Sequence, residues 1–338
     1  MNAYRQAWAR GLVIGSAFAG AGLLALLLKQ HGPEVWATVR AVRWALVPIV
    51  ALHGIQLLLS GAAWHAVADP QTRRSGWTYL WVRWVREGVS GLLPVAQIGG
   101  DVIGARLLTL AGAPLANVAA SLTVDLSIEA ITLFAFVLTG IAFAVVSGVG
   151  GGLVGYSLIG MAALLPCVVL IVMLPRQSTG RFLERLGDWL AQRLPGLPVA
   201  QFMNVHRAIV STYAIPGAFL QGCGYHLASW AFGIVEILVM ATAIHAPISA
   251  GQALVFESIG QAVRAAAFFV PAGLGVQEGG LLLIALQLGL PGETGLALSL
   301  LKRVREVTLG VPALLAWYIA ENHYRVDSDG AAGAEESL

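Results

Sequence analysis

From Arg86 to Glu129 the chain reads REGVSGLLPVAQIGGDVIGARLLTLAGAPLANVAASLTVDLSIE, with Arg86, Glu87, Asp101, Arg106, Asp125 and Glu129 set in an otherwise apolar sequence. Two kinds of fold can accommodate this: a soluble core that hides the charges, or a membrane bundle that turns them inward. The rest of the chain decides between them. Of its 338 residues 57% are hydrophobic and 11% charged, with a mean hydropathy of +0.77, against about 25% charged in an ordinary soluble domain. The expected fold class is an all-α polytopic membrane protein. A lone charge at the bilayer centre costs about 3 kcal/mol on insertion scales, so these side chains must pair with one another or line a wet cavity.

The same stretch carries a chain break, Pro94 followed by Gly99 and Gly100, and a similar pattern returns in the second half of the chain. When the two stretches are aligned without a gap so that Pro94 falls on Pro271, Asp101 falls on Glu278, Gly112 on Gly289, Pro114 on Pro291 and Glu129 on Glu306; Arg86 meets Arg264 with a slip of one. The chain breakers and acids match in order although overall identity is low. We read an internal repeat, about 80–147 and 251–320, with Pro94, Gly99, Gly100, Pro271 and Gly273 as the hinge or break residues.

Taken in order, the apolar runs predict helices at 11–28, 45–67, 116–147, 153–174, 213–243 and 295–320. Four shorter arms, 80–93, 101–112, 251–270 and 279–290, flank the two breaks. Short arms around a Pro/Gly break suggest re-entrant hairpins, because irregular backbone at membrane depth needs protein or water around it. The expectation is about six spanning helices plus two re-entrant hairpins in one membrane domain, residues 1–320. The segment from Arg176 to Leu194 spaces its apolar residues helically and reads as an amphipathic helix on the membrane surface, within a cytoplasmic connector at 176–207. The polar residues 321–338 read as a disordered tail. Trp77, Tyr79, Trp81 and Trp84 mark a membrane surface. The basic N-terminus, the Arg73-Arg74 loop and the connector place both termini in the cytoplasm by the positive-inside rule. With three spans between the hairpins, the repeats would be inverted, an arrangement typical of transporters.

No sequence signature of hydrolysis or group transfer is present: no Gly-x-Ser-x-Gly, P-loop or His-Glu-x-x-His. Cys167 and Cys223 lie in apolar segments and suggest neither a disulfide framework nor a metal site. No cofactor, metal or catalytic residue is expected, and no basic run fits nucleic acid. The candidate substrate-binding or translocation residues are Arg86, Glu87, Asp101, Arg106, Glu129, Arg264, Glu278, Arg305 and Glu306. In the functional reading arginines hold a headgroup while the acids partner them or carry protons; in the other, buried ion pairs lock the repeats together. Asp101 and Glu278 have a further reading as helix caps, whereas Glu129 and Glu306 lie inside long helices. His53 reads as a packed histidine, and Glu236 as structural or a lesser site.

The run WVREGVSGLLPVAQIGGDVIGARLL, Trp84 to Leu108, resembles the lysylphosphatidylglycerol synthase transmembrane (flippase-like) family. So do FFVPAGLGVQEGG, Phe268 to Gly280, and ALSLLKRVREVTLGVPALLAWY, Ala297 to Tyr318. The pattern is most similar to the hopanoid-biosynthesis-associated, HpnL-like branch, with Asp101 standing where many relatives have Glu. The resemblance implies an integral inner-membrane protein that moves or places a lipid between leaflets, either a hopanoid or a derivatised or anionic lipid. It also implies membrane lipids, and hopanoid-synthesis enzymes, as partners. No aminoacyl-transfer domain follows residue 320 in this sequence, so a transferase activity is not expected. The alternative is a non-catalytic scaffold for hopanoid biosynthesis, with the 176–194 helix as its docking face.

Overall fold

A computed structural model describes residues 42–93, 96–148, 206–211, 213, 215–266 and 275–335, together with isolated positions between 152 and 189. The predicted helices 11–28 and 153–174, the connector, and the breaks at Pro94, Pro271 and Gly273 lie outside these residues or almost entirely so. Eight helices organise the described part: α1 (Leu46–Val67), α2 (Gly76–Leu92), α3 (Ala96–Leu110), α4 (Leu115–Val146), α5 (Pro216–Ala243), α6 (Ala250–Ala266), α7 (Val276–Gln287) and α8 (Gly292–Glu335). The protein is an all-α polytopic membrane protein. Among the described residues, Leu46–Val67, Leu115–Val146 and Gly217–Ala243 are long and apolar enough to cross a bilayer.

Local chemistry explains the helix ends. Ser75 opens α2 with its hydroxyl accepting from the Thr78 N–H (3.4 Å), satisfying one of the free amides of the first turn. The helix stops at Leu93, which is extended (φ −99°, ψ 145°). Pro94 follows, and a residue before proline is pushed out of the α region. Asp69 ties the α1–α2 loop to α4: Asn117 Nδ2 donates to its carboxylate at 2.9 Å and to Thr72 Oγ1 at 2.8 Å.

The turns after α3 and α7 are the same turn. Gly112 (φ +91°) and Gly289 (φ +71°) both take left-handed backbone. Around the first, Gly112 N–H donates to Thr109 O and Ala113 N–H to Leu108 O; around the second, Gly289 N–H donates to Leu286 O and Leu290 N–H to Ala285 O. Each pair of bonds closes a helix C-terminus by the Schellman pattern, which favours glycine because side chains resist positive φ. Every participant in the second turn follows its counterpart in the first by the interval that separates Pro271 from Pro94.

Packing has the same two-fold character. Among the described residues helix α1 lies against α5, and the other close helix pairs have counterparts: α1–α2 with α5–α6, α2–α3 with α6–α7, α3–α4 with α7–α8, α2–α8 with α6–α4. Thus the last helix of each half packs on the first arm of the other. Two large apolar cores result among the described residues. One gathers Trp64, Tyr79, Val82, Leu107, Leu108, Val124 and Ile128; the other gathers Ile237, Met240, Phe256, Ile259, Leu281 and Leu298. Leu138, Leu220, Leu227, Leu286, Leu315 and Ile319 point outward, as suits lipid rather than water.

Two boundaries differ from the sequence reading. Helix α3 begins at Ala96, ahead of Asp101, so Asp101 lies within the helix and does not cap it. Gly99 and Gly100 likewise sit inside α3 rather than in a break, and a Cβ at Gly100 would collide with the Arg86 carbonyl of α2. Helix α8 continues to Glu335, across most of the segment read as a disordered tail.

Candidate functional site

Among the described residues the charges inside the bundle form two networks, and a cleft lies beside them. In the first network Arg86, on α2 and only 6% exposed, is the hub. Its Nε donates to Asp101 of α3, its Nη1 to Asp125 of α4 (3.3 Å), and its Nη2 to Glu129 of α4 (3.4 Å). Arg83 clasps Glu129 with both terminal nitrogens (3.0 and 3.2 Å). His226 Nε2 lies 3.0 Å from Asp125 Oδ1, which brings α5 into the cluster, and the Arg86 guanidinium sits 5.7 Å from the Trp64 ring centroid. Asp125, Glu129 and His226 offer ligand atoms within 4.8 Å of one another. Their carboxylates, however, are occupied by arginine donors. The set is an ion-paired cluster in which a cation would have to displace two guanidinium groups.

The second network is built on α8. Lys302 donates to Glu257 of α6 (2.6 Å), Arg305 to Glu236 of α5 (2.6 Å), and Arg303 to Glu278 of α7 and to Glu306 (2.9 Å each). Arg264 of α6 reaches Glu306 at 3.4 Å. Glu278 also accepts from the Gly275 N–H (2.7 Å). It is therefore both the helix cap and an ion-pair partner, so each reading of that residue holds in part. Such bidentate and shared contacts neutralise charge that could not stand alone inside a membrane.

A small open cleft lies between the halves, lined by His53 and Leu57 of α1, Trp84, Glu87, Gly88 and Gly91 of α2, Arg264 of α6, and Glu306, Leu309 and Gly310 of α8. Its floor depends on a close helix crossing. A Cβ at Gly88 would stand 2.7 Å from the Ala313 Cβ, and one at Gly310 would stand 2.6 Å from Leu92 Cδ1, so α2 and α8 approach closely only because both positions are glycine. Trp84 Nε1 donates across this crossing to Leu309 O (2.9 Å). Two charged side chains in the cleft keep substantial exposure: Glu87 (28%) and Arg264 (30%).

The structure thus brings Glu87, Arg264 and Glu306 to one cleft, with Arg305 behind it, and Glu278 joins them through Arg303. Arg86, Asp101 and Glu129 form the separate cluster in the first half. Arg106 joins neither: its side chain is 52% exposed and pairs with Glu321 (2.5 Å). Sequence reasoning passed over Arg83 and undervalued His53 and Glu236. Arg83 sits in the tryptophan belt, where an arginine is expected to reach toward headgroups. The signal that could have found it was the spacing of Arg83, Arg86 and Glu87 on one helical face. His53 Nε2 lies 2.5 Å from Glu87 Oε1 and its Nδ1 3.4 Å from Glu236 Oε2. The second contact joins α1 to α5, helices far apart in the chain, and no local pattern announces it.

These features define an integral membrane protein with a charge-lined cleft between two similarly built halves. The lysylphosphatidylglycerol synthase TM region family matches residues 9–315, and the chain belongs to that family. No curated protein and no solved structure matched it.

Proposed function

We propose that the protein carries a lipid headgroup through the cleft between its halves and so moves lipid between the leaflets of a bacterial inner membrane. The observation that carries this reading is the partial exposure of Glu87 and Arg264 in a cleft whose surrounding charges are otherwise buried in pairs. A network built only to lock helices together has no use for two half-paired charges facing an opening. The two halves form an inverted repeat in this reading, and the α2–α3 and α6–α7 arms are the re-entrant hairpins that rock around the cleft. The acyl or polycyclic part of the lipid stays in the bilayer beside the outward-facing leucines. A hopanoid, or a derivatised or anionic lipid, is the cargo class that the resemblance to the hopanoid-associated branch favours. Both termini lie in the cytoplasm.

Leaflet exchange in proteoliposomes tests the reading. Labelled lipids of several headgroup classes, a hopanoid among them, are followed with the native protein and with Arg264→Gln. Exchange that requires Arg264 supports the cleft as the path. No exchange of any lipid by protein shown to be folded overturns the reading.

A further inference from the structure

The contact between Glu87 and His53 has a consequence that pairing alone does not explain. His53 stands between two carboxylates: Glu87 of α2 at the cleft and Glu236 of α5 behind it. Glu236 is fully engaged as an anion, since Arg305 donates to its Oε1 (2.6 Å) and Gln56 Nε2 to its Oε2 (2.6 Å). Nδ1 makes no hydrogen bond, its 3.4 Å contact with Glu236 being electrostatic. A neutral imidazole carries one N–H and so turns a ring lone pair toward one of the two carboxylates; one more proton, on the ring or on Glu87, removes that repulsion. The other charged groups of the cleft do not relieve it. From α6 Arg264 faces Glu306, and from α8 Arg305 faces Glu236 and Glu306. The α4 acids Asp125 and Glu129 are held by Arg83 and Arg86.

We infer that His53 and Glu87 form a proton-carrying pair at the mouth of the cleft, and that lipid exchange by this protein is coupled to proton movement. The inference rests on the reading of the cleft as a lipid path. In the step itself the His53 Nε2–H bond breaks and a Glu87 Oε1–H bond forms; imidazolium and carboxylate become neutral imidazole and carboxylic acid. Glu87 then releases the proton to water in the cleft, and the ring is recharged by the reverse sequence when the cleft faces the other side. Glu87 is the exchanging end because it is the exposed member of the pair. Arg264 lines the same cleft, so an anionic headgroup held there stands beside the proton-carrying pair.

Two measurements decide this. The first is an infrared pH titration of the full-length protein in nanodiscs, comparing the native chain with Glu87→Gln and His53→Gln. The expected result is a protonated-carboxyl band that changes with pH in the native protein and is missing from Glu87→Gln, with its midpoint moved in His53→Gln. A band unaffected by Glu87→Gln overturns the inference, whatever the transport data show. The second is exchange of a labelled anionic phospholipid in proteoliposomes under opposed pH gradients. The native protein is expected to show at least about a threefold difference in rate between the two directions, and the variants a ratio of one at whatever rate they retain. Exchange that ignores the gradient removes the coupling and leaves the lipid reading intact. Absence of exchange for every lipid removes both.

Discussion

Arg264 follows Glu87 in the chain by the same interval as Gly289 follows Gly112, and both charged residues line the cleft between α2 and α8. At matching places in the two halves the cleft is therefore offered an acid by one and a guanidinium by the other. Each is held by a single close partner, His53 for Glu87 and Glu306 for Arg264. Arg86, Glu129, Glu236, Arg303, Arg305 and Glu306, by contrast, each have several partners. This asymmetry divides the ionisable residues into those expected to hold the fold and those expected to meet a ligand.

Arg264→Gln should leave the protein folded and impair exchange. Glu306 keeps Arg303 at 2.9 Å after the change, so no buried acid is stranded. The lost charge-assisted hydrogen bond to a headgroup is worth about 1.5–3 kcal/mol, which corresponds to a fall of about tenfold or more in exchange. Arg106→Gln is the contrast: a half-exposed pair with Glu321 should change neither unfolding temperature nor exchange measurably. Equal effects of the two substitutions would contradict the placement of the site in the cleft.

Arg86→Leu should behave in the opposite way. The substitution leaves Asp125 and Asp101 facing an apolar side chain inside the bundle, with only His226 remaining on Asp125. Breaking a buried ion pair from one side costs about 3–5 kcal/mol. A large drop in detergent unfolding temperature is expected, together with poor recovery from membranes. Arg86→Lys should rescue only part of it, because an ammonium cannot reproduce the three separate guanidinium contacts. Full stability of Arg86→Leu would show that the cluster does not hold the first half together.

Much of this division could be read from the sequence, and part could not. The matched interval of Pro, Gly and acidic residues is a property of backbone geometry. Gly112 and Gly289 need left-handed φ at the same helix ends, so the turn chemistry is written locally. Glu129 and Glu306 stood out because charge inside a long apolar helix demands a partner. Which partner was not legible: Arg83 with Glu129 and Arg305 with Glu236 join helices far apart in the chain, and pairing across a bundle depends on helix rotation that periodicity fixes only coarsely. Arg106 was misplaced for the same reason. It shares α3 with Asp101 but occupies the opposite, outward face.

Gly112→Ala and Gly289→Ala should destabilise the protein by similar amounts. Neither position would force a clash closer than ordinary contact: the nearest neighbour at Gly112 is Arg74 at 3.7 Å, and Gly289 has nothing within 4 Å. The cost is thus conformational, about 1–2 kcal/mol for holding an alanine at positive φ. Asparagine should restore most of the loss, since it tolerates that region better. Chemical unfolding of the two variants in parallel checks the expectation; a much larger cost at one of them would mean that the two turns do not serve their halves alike.

The two glycines of α2 that line the cleft should separate blocking from unfolding. Gly91 has no atom within 4 Å of a notional Cβ, whereas Gly88 faces Ala313 at 2.7 Å and the Gly310 carbonyl at 3.2 Å. A bulky side chain at Gly91 can therefore enter the cleft without moving a helix. Gly91 is the penultimate residue of α2, so a side chain there meets no neighbouring helix. Gly91→Phe should keep the unfolding temperature and yet suppress exchange. Gly88→Leu should force α2 and α8 apart, strain the Trp84 to Leu309 hydrogen bond, and lower the unfolding temperature. Overpacking of this kind costs about 1–3 kcal/mol. If Gly91→Phe exchanges lipid as fast as the native protein, the cleft is not the route, because a phenyl ring placed there would obstruct any headgroup passing between Glu87 and Arg264.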